Sequence, residues 1–164
     1  MRPLEGHTTK KMKTILLLAF ALLTFLTPFA HASPPRTATG TFTASFTVLS
    51  VAAAGGNTII TVNETATLAG SFVGTRIAQG SEIIHPDGSF IASDTGTFTG
   101  TLDGAPGSLV VTGHSTGVGG TGAGGFVVNN GTGGLEDVHG FGPFQFTATG
   151  PTSTTGTYSV TLHA

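Results

Sequence analysis

The chain has 164 residues, with 26 Gly, 8 Pro, no Cys, no Trp and only 9% charged residues. That length suits one domain, and the lack of cysteine excludes a disulfide framework, a thiol nucleophile, a thiolate metal site and a lipoprotein anchor. Six Lys plus Arg against eight Asp plus Glu exclude a basic nucleic-acid binder.

The first 32 residues read as an export signal. A basic stretch, Lys10-Lys11-Met12-Lys13, leads into the apolar run Thr14–Phe29, which ends in Ala30-His31-Ala32 with small residues where a signal peptidase reads. A transmembrane anchor is the competing reading. Against it, Ile15–Ala30 falls short of the roughly 20 apolar residues a span needs, and Pro28 sits near its end. Met12-Lys13 would also serve as a signal start. The expected organisation is a cleaved signal peptide over 1–32 and one exported domain over 33–164, periplasmic or extracellular. Cleavage removes every Lys. Two arginines, Arg36 and Arg76, then face seven carboxylates, Glu64, Glu82, Asp87, Asp94, Asp103, Glu136 and Asp137, for a net charge of −5 with His neutral. Such a domain has no charge-based attraction for nucleic acid or, once the signal is gone, for an anionic membrane.

From Ser33 onward no segment carries a helical pattern. Gly disfavours helix, and the abundant Thr, Val and Ile favour strands. Period-2 alternation is the signal instead. Gly40–Val48 sets Phe42, Ala44, Phe46 and Val48 against Thr41, Thr43, Ser45 and Thr47. Thr58–Ala69 and Ser71–Gln79 follow as strands, and Ser89–Asp103 sets Phe90, Ala92, Phe98 and Leu102 opposite a threonine face. Gly107–Gly117, Gly124–Asn130, Phe141–Thr149 and Thr155–His163 complete a set of eight. Turn signals separate them: Gly55-Gly56-Asn57, Pro86-Asp87-Gly88, Asp103-Gly104, Asn129-Asn130-Gly131 and Gly150-Pro151. The glycine-rich stretch Gly117–Gly125 is expected to be one mobile loop. No fixed period of 20–50 residues supports a solenoid. Short strands at this spacing predict an antiparallel sandwich or closed barrel with threonine outside and phenylalanine inside.

Two motifs carry a family resemblance. Phe98-Thr99-Gly100-Thr101-Leu102-Asp103-Gly104, running on through Gly107-Ser108-Leu109-Val110-Val111 to His114, resembles the central hairpin of a bacterial family of unknown function. Gly131-Thr132-Gly133-Gly134-Leu135, with Val138 and Gly140, resembles the glycine-rich turn before that family's last two strands, and Ala38-Thr39-Gly40-Thr41-Phe42 fits its first. The resemblance covers roughly Thr37–His163. It implies an all-β, single-domain, antiparallel eight-stranded β-barrel similar to allene oxide cyclase. The family's Glu-Arg pair before the central Phe is replaced here by Gly96-Thr97, so a role for that pair does not carry over. Of the family's polar positions only His114 matches. Fold alone does not imply the cyclase chemistry.

Strand parity singles out three charges. Glu64 shares the apolar face of Ile60, Val62, Ala66 and Leu68; Asp94 shares that of Phe90, Ala92 and Phe98; and Arg76 shares parity with Phe72. An unpaired inward charge costs several kcal/mol, so these side chains are expected to pair with one another or to line a wet cavity. A β-bulge that turns a charge to water, or a purely structural Glu64–Arg76 ion pair, are the plainer readings. If they line a lumen, the candidates for acid–base work are Glu64, Asp94 and His114. Arg76, Phe72, Phe90 and Phe98 are the candidate ligand-binding set. His114 also fits a hydrogen-bonded structural histidine. His85 lies in a turn and His139 in the glycine-rich connection, with no H-x-H or H-x₃-H spacing. Neither a metal site nor any cofactor is expected. No G-x-S-x-G elbow or P-loop is present. Asn63-Glu64-Thr65 and Asn130-Gly131-Thr132 fit the N-glycosylation pattern, inert in the bacterial host that the signal and resemblance imply.

The function expected is binding of a small, largely apolar molecule in the lumen. Two alternatives stand beside it. One is a cofactor-free cyclase or isomerase using lumenal acid–base catalysis. The other is a non-enzymatic cell-surface structural or interaction domain using the threonine-rich faces or an exposed strand edge.

Overall fold

The computed structural model describes residues 34–163, so the signal peptide expected over 1–32 lies outside the described residues. Eight strands follow in order: β1 (Arg36–Ala54), β2 (Asn57–Gly70), β3 (Phe72–Ile84), β4 (Ser89–Leu102), β5 (Ala105–Val118), β6 (Thr121–Gly133), β7 (His139–Gly150) and β8 (Ser153–His163). Each pairs antiparallel with its predecessor. β8 returns to pair with β1 from Arg36↔Leu162 to Ser45↔Ser153, and the sheet closes into a ring. Closure gives the backbone groups of the first and last strands a partner that an open sheet would leave to solvent. There is no helix among the described residues.

The turns are set by residues that tolerate positive φ. Gly55-Gly56, Asp103-Gly104 and Gly119-Gly120 each form a two-residue connection, closed by the pairs Ala54↔Asn57, Leu102↔Ala105 and Val118↔Thr121. All six residues have φ between 49° and 89°, the backbone that matches the right-handed twist of a hairpin. The stretch Gly117–Gly125 is therefore not a loop, as its composition had suggested, but a tight hairpin whose flanking glycines belong to β5 and β6. Asn129-Asn130-Gly131 also departs from expectation. It lies inside β6, where Asn130 at φ 48° makes a bulge between the pairs Ser108↔Thr132 and Val110↔Asn129.

The interior explains the glycine. Side chains of eight strands converge on a narrow lumen, and large rings are accommodated by glycines on a neighbouring strand or two residues along the same one. A methyl group added to Gly117 would lie 2.6 Å from the Phe90 ring, one on Gly156 2.5 Å from the Phe42 ring, and one on Gly100 2.9 Å from the Phe98 ring. Phe72 meets Phe98 edge-on at 5.3 Å between centroids and Tyr158 at 5.7 Å, geometries that suit the ring quadrupoles.

The two ends of the ring differ. At one end Phe98, Leu102, Leu109, Val128, Val160 and Leu162 form a solid core. Leu135 and Val138, from the β6–β7 connection, fold onto it and are buried. The exposed Arg36–Asp103 ion pair at that end contributes at most about 1 kcal/mol. The other end is open and rimmed by hairpins. There β1 outruns its β8 partner, and from Val48 to Ala54 it pairs with β2 alone. Its Val51 is 64% exposed.

The contrast between the ends predicts different penalties for the same change. In Gly100→Ala the new methyl would collide with the Val73 carbonyl oxygen, a backbone atom held in the β3–β4 ladder. The expected cost is about 3 kcal/mol. In Gly122→Ala the three nearest atoms belong to the Phe146 and Phe90 rings beside the open end. Those rings can shift, so the cost should stay below about 1 kcal/mol. Urea denaturation of both variants tests the difference.

Candidate functional site: the charged floor and open mouth of the lumen

Glu64, Arg76 and Asp94 sit on three successive strands, β2, β3 and β4, all at inward positions. The neighbours opposite them are small. Glu64 faces Ala78 across the β2–β3 ladder, and Asp94 faces Gly80 and Gly113. A methyl group on Gly113 would stand 2.9 Å from Asp94 Oδ2, so glycine there leaves room for the carboxylate. Arg76 spans the space. Its Nη1 donates to Glu64 Oε1 at 2.6 Å, and its Nη2 donates to Asp94 Oδ1 and, at 3.3 Å, to the Val111 carbonyl oxygen. The Nε–H is buried without a partner. The side chains are 11%, 17% and 25% exposed for Arg76, Glu64 and Asp94.

Burial pushes the Glu64 pKa above its ordinary value; the Arg76 charge and hydrogen bond oppose the rise, and the Asp94 charge adds to it. Glu82, six residues beyond Arg76 on β3 and at the same parity, is also raised, by burial. The sequence reading missed Glu82 because it ended this strand at Gln79. The inward parity of Phe72 and Arg76, carried six residues further, is the signal that finds it.

Around this group the lumen holds two spaces. The inner one, about 110 Å³, lies toward the solid core and is lined by Phe42, Leu68, Phe72, Phe98, Phe126 and Tyr158 together with the three charges. The outer one, about 410 Å³, opens at the hairpin end and is walled by Phe46, Ile60, Glu82, Phe90 and Phe146. Glu64 and Asp94 line both, so the charged group forms the partition.

The expected site residues therefore divide. Glu64, Arg76 and Asp94 come together as one ion-paired cluster. Phe90 belongs to the mouth, packed against Phe146 at 6.1 Å. Phe72 and Phe98 are buried in the core and reach only the inner space, so their first role is packing. His114 is not in the lumen. On β5 the inward positions are Leu109, Val111, Gly113 and Ser115, and His114 stands exposed on the outer face over Gly125. The cause is parity: the residue after an inward glycine points outward. Tyr158, also missed, is inward, but its hydroxyl is occupied. It accepts from Phe72 N at 3.0 Å and donates to the Ala69 carbonyl at 3.2 Å, tying β8 to the β2–β3 connection. Burial raises its pKa, the Phe72 hydrogen bond offsets this in part, and the Asp103 charge adds to it. No three His, Asp or Glu side chains among the described residues converge in a metal-binding arrangement.

Arg76→Met would leave two carboxylates in the lumen without their cation. The expected loss is about 3 kcal/mol, and adding Glu64→Gln and Asp94→Asn should recover most of it. Chemical denaturation of the single and triple variants measures both effects. The raised Glu82 has a pH consequence of definite sign. A carboxyl that holds its proton more tightly when folded gives its full stability below its ordinary value of 4.5 and loses it as pH rises through the folded value. Glu82→Gln should therefore match the parent in acid and become the more stable protein as pH climbs past 4.5. Thermal melts across that range test the crossover.

No family model and no curated protein matches the chain. In fold it is similar to a crystal structure from Shewanella oneidensis MR-1, described as a protein with unknown function from the DUF3224 family. The TM-score is 0.63 at 18% identity, covering 77% of this chain and 96% of that one. At that identity the likeness shows the fold alone, and it is consistent with the resemblance to a family of unknown function.

Proposed function

We propose that the protein is exported and binds a small, largely apolar molecule in the open end of its barrel, after the manner of an allene oxide cyclase-like scaffold used for binding. The observation that carries this reading is the outer cavity of about 410 Å³, walled by Phe46, Phe90 and Phe146 and floored by ion-paired side chains. Ligand sites are of this size and character: mostly apolar, concave, with a few placed polar groups. Export rests on the Lys10–Ala32 pattern. The solid end supports binding over transport through the ring, because Leu135 and Val138 cap it.

A second reading, cofactor-free cyclisation or isomerisation, rests on Glu64. Beside an apolar space, burial makes it hold its proton more tightly than an ordinary carboxyl does, which suits general acid–base work. Its bond to Arg76 Nη1 is the feature that holds it in a structural role instead.

The absence of tryptophan supplies a clean test. Phe146→Trp places a single reporter in the mouth, and titration with a neutral apolar dye that quenches indole should quench it in a saturable way. Ala92→Phe, which fills the same cavity, should abolish the response while leaving the strand circular dichroism intact. An unsaturable response, or one that survives the filling, would count against lumenal binding.

A further inference from the structure

We propose that the ligand of the outer cavity is an organic cation: an apolar body bearing a protonated amine, with the ammonium set against Glu82 and the faces of the neighbouring phenylalanines. This rests on the binding reading above and adds the chemical class of the ligand.

The argument is one of charge and partners. Three carboxylates line the outer cavity, Glu64, Asp94 and Glu82. One fixed cation, Arg76, stands inside the barrel, and both of its terminal nitrogens are engaged by Glu64 and Asp94. The second arginine, Arg36, is paired with Asp103 at the closed end. Glu82 makes no ion pair and no side-chain hydrogen bond among the described residues. Desolvation is the one cause that shifts its pKa, with no cation to offset it. It stands between Ile60 and Ala92 in the ladders, on the wall rather than in the partition.

Each charge class of ligand meets a different reception. An anion would meet an uncompensated carboxylate with Arg76 already occupied, and like charges at close range in a half-buried site repel strongly. A neutral molecule that fills the mouth would strip water from Glu82 and give nothing in return. A cation supplies the missing partner. It also gains from the walls, since Phe46, Phe90, Phe144 and Phe146 line the same space and the negative face of an aromatic ring attracts an ammonium. The excess of negative charge over the domain outside the signal, seven carboxylates to two arginines, draws cations toward it from solution.

The test is a head-group series on one apolar body: 1-naphthylmethylamine, 1-naphthalenemethanol and 1-naphthylacetate, titrated calorimetrically into the native chain at neutral pH. The amine should bind at least about tenfold more tightly than the alcohol, and the acetate more weakly than either. Glu82→Gln should close the gap between amine and alcohol, weakening the amine and leaving the alcohol bound at least as tightly as before. Equal affinities for amine and alcohol, or the tightest binding for the acetate, would overturn the cation assignment and leave the apolar cavity standing. Failure of all three to bind would overturn the cavity reading together with it. The comparison on the native chain holds whether or not the variant folds.

Discussion

A ring of eight strands leaves little room at its centre, and this steric limit organises the molecule. Every second residue of each strand points into the lumen, so a layer fills with a few rings and the remaining positions must be small. The sequence meets the limit by setting phenylalanine against glycine: Phe90 against Gly117, Phe42 against Gly156, Phe98 against Gly100. Where leucine and valine join the rings the lumen is solid, as at Leu102, Leu109 and Leu162. Toward the hairpin end, small inward residues such as Ala92 and Ser115 outnumber the rings that cover them, and space is left over. Cavity and core are two outcomes of the same packing rule.

The ion-paired cluster follows from that limit as well. Arg76 can reach both carboxylates because Ala78 and Gly80 on its own strand, and Gly113 beside Asp94, keep the space next to them clear. Its two carboxylate partners come from the strands on either side, so the cluster joins β2, β3 and β4 by a cross-link that does not depend on apolar contact. Taking these charges out of water has a cost, which the pairing offsets. The raised Glu64 pKa shows that the offset is incomplete. A barrel built for stability alone would fill this layer with apolar side chains. The charges are thus the part of the interior for which packing gives no reason, and they stand between the closed half and the open half.

Glu82 has a different status. It is inward, half-buried and without a cation, at a place where water still reaches it. Its effect on stability runs against the fold at neutral pH, and a ligand that supplies the missing charge would reverse that effect. The hairpin tip formed by the ends of β1 and β2, with Val51 exposed, stands at the same open end.

Much of the architecture was legible in the residues. Apolar–polar alternation and the turn signals between segments located the strands, and parity turned Glu64, Arg76 and Asp94 inward, because the side-chain period of a strand is two and local. Composition misled where it was taken alone. Gly117–Gly125 reads as a loop until the rings of Phe90 and Phe146 are in place to use the space that its glycines leave. Asn130-Gly131 reads as a turn until the β5 partner continues past it. His114 was placed by its motif, while the face it occupies was decided by the register of β5. By itself, then, the sequence determined strands, faces and turn chemistry, since each depends on neighbours one or two residues away. Ring closure, the meeting of Arg76 with both carboxylates, the capping of one end and the isolation of Glu82 at the other were decided by tertiary structure alone. Each depends on which strands become neighbours in space, and that pairing is written in no short stretch of the chain.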